Sequence, residues 1–339
     1  MSALRPEVGP FSHDPAGFLL KRRPTPVREF NLSGHRRVVI LKHAMRPFLT
    51  FLGIALLFCG CQPEDIRFDD NPVPHYDGVP TVVLDAYLTR AYIDLIGREP
   101  LQGEMESDRA ALRAGDLGIE SRLAMVDRLM GADEAYIELH DRKMFDDLSG
   151  RFLDGTSRET VEAEIQTQRF LAMQDSLAGG LAYLFLNLQA DRLERVAFSM
   201  EHYREGTIDW REVNRRFCDN LIYDEINMNS FNFINATFDD LFDRYPTEAE
   251  FEQAYSAIEF GAPAVLFGEV IGDKDGYLLA LVNDPEFEEG TVRWWSEKLL
   301  VREISGAEMI AWRDVVGSEV DIRELQRLLI SSDEYADFE

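Results

Sequence analysis

The sequence predicts an all-α protein in which tandem helix-turn-helix repeat units form an irregular helical bundle, preceded by a signal peptide and a tether. Three observations lead to this fold class. From Val79 onward apolar residues recur at helical spacing, as in the stripe formed by Leu88, Tyr92, Leu95 and Ile96. Sustained period-two alternation, which would indicate strands, is hard to find. An internal repeat, described below, is itself built from helical patterns.

An uncharged apolar run, residues 47–60, lies near the N-terminus. As a helix it would be about 21 Å long, which is too short for the roughly 30 Å hydrocarbon core of a bilayer. We therefore interpret residues 45–60 as a signal peptide in which Met45 and Arg46 directly precede the apolar run. Residues 1–44 contain several prolines and no sustained periodicity. They are interpreted either as a disordered extension or as the result of a start site assigned upstream of Met45.

The apolar run ends in Phe58-Cys59-Gly60-Cys61, which resembles a bacterial lipobox. In a lipobox a small residue precedes the cysteine that is lipidated and becomes the mature N-terminus, so the resemblance implies a lipid on Cys61. Phe58 departs from the pattern because it stands where leucine is usual. Cys59 is the alternative acceptor, but it follows a bulky residue and fits less well. An ordinary buried helix is the structural alternative for the whole run.

Residues 61–80 are rich in proline and acidic residues, which predicts an extended, flexible tether. The acidic patch directly behind Cys61 also resembles the surface-export signal of Bacteroidota-type lipoproteins. That resemblance implies the outer membrane, on either its periplasmic or its surface face. A plain solvated spacer is the alternative interpretation.

The charge of the chain is strongly negative and unevenly distributed. The formal net charge is -27, although the residues before Cys61 carry nine Lys and Arg against three Asp and Glu. From Cys61 onward, 59 acidic residues stand against 26 basic ones. Such a surface repels phosphate groups, so nucleic acid is excluded as a partner.

Three segments of the chain align without gaps on an arginine. The repeated arginines and the glutamates that stand six residues after them are Arg98 and Glu104, Arg244 and Glu250, and Arg302 and Glu308. Apolar residues stand ten, three and two positions before each arginine, which predicts a helix with the arginine in its last turn, where the helix dipole favours positive charge. Capping boxes at Thr247 and Ser305 then predict the start of a second helix. We interpret the six repeated residues as structural, with a binding role as the alternative.

The repeat divides the folded part of the chain. The predicted divisions are a first unit over residues 81–139, a helical insert over residues 140–230, and second and third units over residues 231–339. In the insert, Gly179 and Gly180 interrupt two long amphipathic runs. The Asn- and aromatic-rich segment at residues 226–235 is predicted to form the turn that leads into the second unit.

The segment Arg90–Pro100, RAYIDLIGREP, with residues 129–136 behind it, is similar to an uncharacterised helical domain that accompanies cytochrome c modules in planctomycete envelope proteins. More loosely, it resembles short helical repeats with a Leu-x-Gly-Arg-x-Pro core in bacterial surface proteins. The resemblance implies an exported helical interaction module. It implies no haem, since the chain lacks Cys-x-x-Cys-His, and no cofactor is expected.

A search for catalytic or metal-binding motifs yields weak candidates. No nucleophile elbow, phosphate-binding loop, dinucleotide fingerprint or zinc-type cysteine spacing occurs. His140 stands near Glu138, Asp141 and Asp146, which together offer metal ligands. In so acidic a chain, however, carboxylates close to a histidine are expected by chance. Pairs of carboxylates suited to hydrolysis are also expected by chance in so acidic a chain. Cys218 is interpreted as a small buried apolar group.

Two further motifs admit a structural and a functional interpretation. Asp273-Lys274-Asp275-Gly276 resembles part of a calcium-binding loop, but Val282 stands where the loop needs a bidentate glutamate, so a helix-capping turn is favoured. The tryptophans Trp294, Trp295 and Trp312 offer stacking surfaces for glycans, but on helices they more often belong to the core.

These observations predict a lipid-anchored protein of the cell envelope that acts as a helical binding or scaffold module. Its expected partners are the membrane, through the lipid anchor, and an envelope protein. No enzymatic activity is expected, because no catalytic constellation is recognisable. The alternatives are an envelope hydrolase that uses paired carboxylates, and an accessory subunit of an electron-transfer or transport complex.

Overall fold

The computed structural model describes residues 78–317 and 319–338. In this part of the chain the regular structure consists of α-helices, one π-helical segment and a single two-stranded sheet, so the predicted all-α class is confirmed. The predicted signal peptide, most of the predicted tether and Cys61 lie outside the described residues. Within the described ranges, no helix is both long enough and apolar enough to cross a membrane.

The first unit contains four helices. They are α1 (Thr81–Ile96), α2 (Gln102–Ala114), α3 (Ile119–Asp127), which the π-helical segment Arg128–Ala132 extends, and α4 (Glu134–Phe152). The insert follows with α5 (Arg158–Leu177), α6 (Tyr183–Ala197), α7 (Ser199–Arg204), α8 (Trp210–Cys218) and α9 (Leu221–Asn227). The second and third units contain α10 (Ser230–Phe242), α11 (Glu248–Phe260), β1 (Ala264–Leu266), β2 (Glu269–Ile271), α12 (Lys274–Asn283), α13 (Pro285–Leu300), α14 (Gly306–Val316), α15 (Ile322–Ile330) and α16 (Asp333–Ala336). The two strands pair antiparallel, with Val265 opposite Val270.

The three units have the same order of helices, and the last two share one of them. In each unit a first helix packs against the helix that closes the unit: α1 against α4, α10 against α13, and α13 against α16. Helix α13 therefore closes the second unit and opens the third. The second and third units thus overlap, so that each depends on the packing of the other.

The first and third units pack against each other, which brings the two ends of the described chain together. The hydroxyl of Tyr335 on α16 donates to Asp94 Oδ2 on α1 at 2.7 Å. At the neighbouring helices, Arg327 Nε donates to Asp127 Oδ1 at 2.5 Å. Because these partners are about 200 or more residues apart in the sequence, the repeats close into one bundle around a common core.

Two predicted boundaries of the insert differ from the structure. The boundary between residues 139 and 140 falls inside α4, which continues to Phe152 because Phe145, Leu148 and Phe152 still bury their side chains in the core. The segment at residues 226–235 is not a turn, since α10 begins at Ser230. Only the link around Asn229 is non-helical, and the Asn229 side chain caps α10 by accepting from the backbone N–H of Asn232.

The predicted caps form where the sequence places them. Thr247 and Ser305 make reciprocal capping boxes with the glutamates three residues later. Asp273 accepts a hydrogen bond from Gly276 N at 2.8 Å, so the motif resembling a calcium loop is a helix cap. Leu101, which has no side-chain acceptor, makes only half of the box, because its N–H still donates to Glu104.

The core joins the insert to the repeat units through aromatic rings. Trp210 on α8 and Trp295 on α13 are both buried, with ring centroids 6.1 Å apart. Trp294 and Trp312 are partly buried and pack against the same core, so all three tryptophans of the third unit serve packing. Cys218 is fully buried, and burial raises the pKa of its thiol, as expected for a small apolar group.

One helix crossing is close enough to require a glycine. Gly290 on α13 lies against the C-terminal end of α10, and a Cβ placed on Gly290 would lie 2.1 Å from the carbonyl oxygen of Leu241. The equivalent carbonyl of the first unit, that of Leu95, is instead contacted at 2.9 Å by His140 Nδ1 from α4. In the third unit the Arg90 guanidinium donates to the carbonyl of Leu299. Each first helix thus ends against a different partner.

Candidate functional site

The three repeated arginines lie just beyond a helix end, so their predicted position in the last helical turn is wrong. Each helix ends two residues before its arginine, and the residue between them has positive φ: Gly97 at 73°, Asp243 at 58° and Val301 at 58°. Such a left-handed residue turns the chain away from the helix axis. The arginine that follows therefore points back across the turn toward the next helix.

Each arginine makes a bidentate ion pair with the glutamate six residues later. The bonds are 2.8 Å for Arg98 to both oxygens of Glu104 and 2.9 Å for Arg244 to both oxygens of Glu250. Arg302 binds Glu308 in the same way, at 3.3 and 2.5 Å. In all three units Nη1 also donates to the carbonyl of the residue after the arginine. We call this arrangement the Arg–Glu clamp, because it ties the turn to the start of the next helix.

The closing helix of each unit completes the clamp with a third partner. Arg244 donates through Nε and Nη2 to Glu286 on α13, and Arg302 donates in the same way to Glu334 on α16. In the first unit the hydroxyl of Tyr136 on α4 donates to Glu104 at 2.9 Å instead. All five N–H groups of Arg244 are consequently donated within the protein. No donor of this guanidinium is left to bind a ligand.

The clamp holds the glutamates ionised. The bond from the arginine is the largest cause that lowers the pKa of Glu104, Glu250 and Glu308 to about 2. The arginines and glutamates are only partly exposed and point at one another. Their chemistry therefore suits a structural role, in which the ion pair holds the turn against the next helix. A proton donor or acceptor for catalysis would need a pKa nearer to the working pH.

His140 is buried and bonds a backbone carbonyl, and none of the carboxylates that suggested a metal site bonds it. Its Nδ1 bonds the carbonyl of Leu95, its Nε2 has no hydrogen-bond partner, and burial lowers its pKa to about 4. Glu138 points to solvent, where it pairs with Arg142. Asp141 pairs with Arg204. In the described residues no group of three potential ligands is placed to hold a metal ion.

The cavity beside His140 is very small. It measures about 10 Å³ and is lined by His140, Asp141, Met200 and Tyr203, among others. A cavity of this size has room for about one water molecule. Asp141, whose pKa burial raises, faces this cavity. The cavity therefore has no room for a substrate.

A row of aromatic rings lies on the surface of the second unit. Phe231, Phe251, Tyr255 and Phe260 contact one another in this order, with centroids 5.1, 5.7 and 5.7 Å apart. The end members Phe231 and Phe260 are 58% and 72% exposed. We call these four residues the aromatic strip. It follows the length of α11, where Phe251 and Tyr255 lie one helical turn apart.

A shallow depression of about 450 Å³ adjoins the strip at Phe231. Its other walls are formed by Tyr245, which is 69% exposed, and by Asn232, Asn235 and Asp239. Aromatic faces beside amide and carboxylate groups supply both apolar contact and hydrogen bonds. This combination is typical of recognition surfaces, in which aromatic residues are enriched.

The aromatic strip was not predicted from the sequence, because its four residues belong to different segments of the chain. Phe231 lies in the segment interpreted as a turn, and Phe251 and Tyr255 are spaced as core residues would be. The available signal was the spacing in α11, where Phe260 falls outside the stripe of its buried residues Ala254 and Ala257. Phe251 and Tyr255 pack partly against the core, whereas Phe260 at the end of α11 stays exposed.

Comparisons with protein-family models, with curated proteins and with solved structures found no match.

Proposed function

We propose that this chain is a lipid-anchored protein of the cell envelope whose helical repeats act as a binding or scaffold module. The observation that carries the binding role is the aromatic strip. Two phenyl rings that are 58% and 72% exposed, joined by two further rings in contact, form a continuous apolar surface. Aromatic side chains on protein surfaces concentrate at interfaces, where they supply much of the binding energy.

The partner that suits this surface is an envelope protein with an apolar groove bordered by basic residues. Acidic side chains flank the strip, including the exposed Glu252 and Glu259 on α11. Complementary charge would guide the encounter, while the rings supply contact area. The clamps support this role, because they hold α11 at a fixed angle to α10 and α13. A rigid surface loses little entropy when it binds.

A binding test uses the strip with a matched control. We expect the Phe231→Ser Phe260→Ser double variant to lose about 2 kcal/mol or more of binding energy, roughly a 30-fold loss of affinity. The measurement is quantitative recovery of co-purifying envelope proteins from detergent-solubilised membranes. Ile310→Ser is the control, since Ile310 is 65% exposed on α14, outside the strip. Equal recovery with both variants, or recovery of the protein alone as a monomer, would contradict the proposed binding role.

Lipid anchoring is a separate part of the proposal and rests on the lipobox resemblance. We expect Cys61→Ser to abolish fatty-acid labelling and partitioning into the detergent phase, because the thiol is the acyl acceptor. Cys59→Ser, two residues away, is the matched control and should keep both. Labelling that survives Cys61→Ser but is lost in Cys59→Ser would assign the acceptor to the other cysteine. Labelling that survives in both variants would show that neither thiol carries the lipid.

A further inference from the structure

The insert contains a helical hairpin whose tip is almost free of charge. Helices α5 and α6 pack against each other and are joined around Gly179 and Gly180. In a chain with 29% charged residues, positions 170–190 contain a single one, Asp175. We call residues 170–190 the hairpin tip.

The tip exposes large apolar side chains on both of its arms. Phe170, Met173 and Leu177 on α5 are 51% to 78% exposed, while Leu184 and Phe185 on α6 are 62% and 59% exposed. Leu171, Leu181 and Leu188 add to the same surface, and Leu181 beside the apex is 78% exposed. With about 100 Å² exposed on each of eight side chains of this size, the apolar surface exceeds the roughly 300–600 Å² of the largest patch on an ordinary monomer.

The apolar side chains point away from the helix partner on each arm. The buried residues of α5 include Ile165, Gln168 and Ala172. Since each residue turns by about 100°, Phe170 and Leu177 fall on the opposite side of that helix and Met173 falls on its flank. On α6, Leu184 and Phe185 likewise fall opposite the buried Ala190. A protein groove or a second copy of the chain would cover the hairpin from one side only. The hydrocarbon of a membrane would contact the exposed apolar side chains of both arms at once.

Both arms change from apolar to charged at the same level. Arg169, directly before the tip on α5, donates to Asp191, directly after the tip on α6, at 2.6 Å. It also donates to Glu194 at 3.0 Å. The apolar surface therefore ends in a plane across the hairpin. From that plane to the apex is about ten residues, or roughly 15 Å of helix, which matches half of a hydrocarbon core about 30 Å thick.

Two polar side chains of the tip bond the tip's own backbone, which lowers the cost of moving them into hydrocarbon. Asp175 accepts the backbone N–H of Tyr183 at 2.9 Å, and Asn187 donates to the Tyr183 carbonyl at 2.9 Å. Gly180 permits this closure, because a Cβ there would lie 2.1 Å from Asp175 Oδ1. The tip carries no lysine or arginine, so nothing in it selects anionic lipid.

We propose that the hairpin tip inserts into one leaflet of the membrane to which the chain is anchored, and that neutral lipid is sufficient for this insertion. This inference rests on the proposed anchoring only in that the anchor keeps a bilayer within reach. Insertion would give the domain a second point of attachment. Its orientation over the membrane, and with it the direction in which the aromatic strip faces, would then be fixed.

The test places a fluorescent reporter at the apex of the full processed chain. The Leu181→Trp variant is reconstituted in phosphatidylcholine vesicles with and without brominated acyl chains, which quench indole fluorescence on contact. We expect the added fluorescence to shift to shorter wavelength and to be largely lost with brominated lipid. Phe260→Trp is the control and should keep its fluorescence, since Phe260 lies on the aromatic strip. The fluorescence of the native tryptophans is measured on the parent protein and subtracted.

Other outcomes separate insertion from its alternatives and from the proposed anchor. A shift that needs no vesicles and grows with protein concentration would assign the tip to self-association. Unchanged fluorescence in both lipids would show that the tip remains in water. Fatty-acid labelling of the same preparation separates the two proposals, because a lipidated chain without quenching refutes insertion and leaves the anchor intact. Quenching in a chain that carries no lipid refutes the anchor and supports insertion.

Discussion

Replacing Gly290 by alanine is expected to destabilise the domain by about 2–3 kcal/mol, as overpacking at a closed contact does. The added methyl group would lie 2.1 Å from the Leu241 carbonyl oxygen and 3.0 Å from the Phe242 Cα. Both are backbone atoms, so no side chain can rotate out of the way, and α13 would have to move off α10. Since α13 serves two units, the disturbance reaches both. The measurement is the denaturant midpoint of the purified protein.

The sign of this effect distinguishes packing from helix propensity. Alanine in place of glycine inside a helix normally stabilises by roughly 0.5–1 kcal/mol. Gly150→Ala on α4 is the matched control, because no heavy atom lies within 4 Å of the position its Cβ would take. We expect the control to be neutral or slightly more stable than the parent. If both variants had the same midpoint, the close crossing of α10 and α13 would be refuted.

Replacing Arg244 by glutamine is expected to cost about 2 kcal/mol at neutral pH, after allowance for partial solvent screening. The substitution removes the shared cation between Glu250 and Glu286 and leaves the two carboxylates facing each other. A binding role for the clamp predicts a different result, namely unchanged stability and altered ligand affinity.

The pH dependence of this loss has a definite sign. Glu250 has its pKa lowered from 4.5 to about 2 by Arg244. A lowered folded-state pKa stabilises the protein above pH 4.5, and that stabilisation disappears as the pH falls from 4.5 toward 2. The difference in unfolding free energy between the parent and Arg244→Gln should therefore shrink over this window. Urea titrations at several pH values measure it.

A surface arginine provides the control for the clamp. Arg142 pairs with Glu138 across one helical turn at 3.4 Å, and its side chain is 53% exposed. Arg142→Gln is expected to change stability by less than about 0.5 kcal/mol at any pH, because exposed pairs of this kind contribute little. A loss at Arg142 as large as that at Arg244 would mean that total charge, and not the clamp geometry, governs the effect.

Features that depend on neighbours in sequence were predictable. The cap at Thr247 needs only a glutamate three residues later and a helix-forming segment behind it, and both are visible in the sequence. The same holds for Asp273, where a missing ligand at Val282 excluded calcium. The constant six-residue spacing of arginine and glutamate was visible in the sequence, but the ion pair between them was not predicted. Its geometry was not visible, because a left-handed residue such as Val301 has no reliable sequence signature.

Features that depend on residues far apart in sequence were not predictable from the pattern. The third partner of Arg244 stands 42 residues away, and only the closing helix brings it there. Phe231 was assigned to a turn and Phe251 has the spacing of a core residue, while their contact depends on the angle between α10 and α11.

By itself, the sequence determined the helical class, the repeat and most of the helix starts, because backbone hydrogen bonds and caps are set within a few residues of one another. The tertiary structure decided that α13 belongs to two units, that His140 is buried and that the hairpin tip faces outward. These depend on which faces of the helices meet. A single helix can present an apolar stripe equally well to a core, to a partner or to a membrane, and only the packing of its neighbours shows which side is left uncovered.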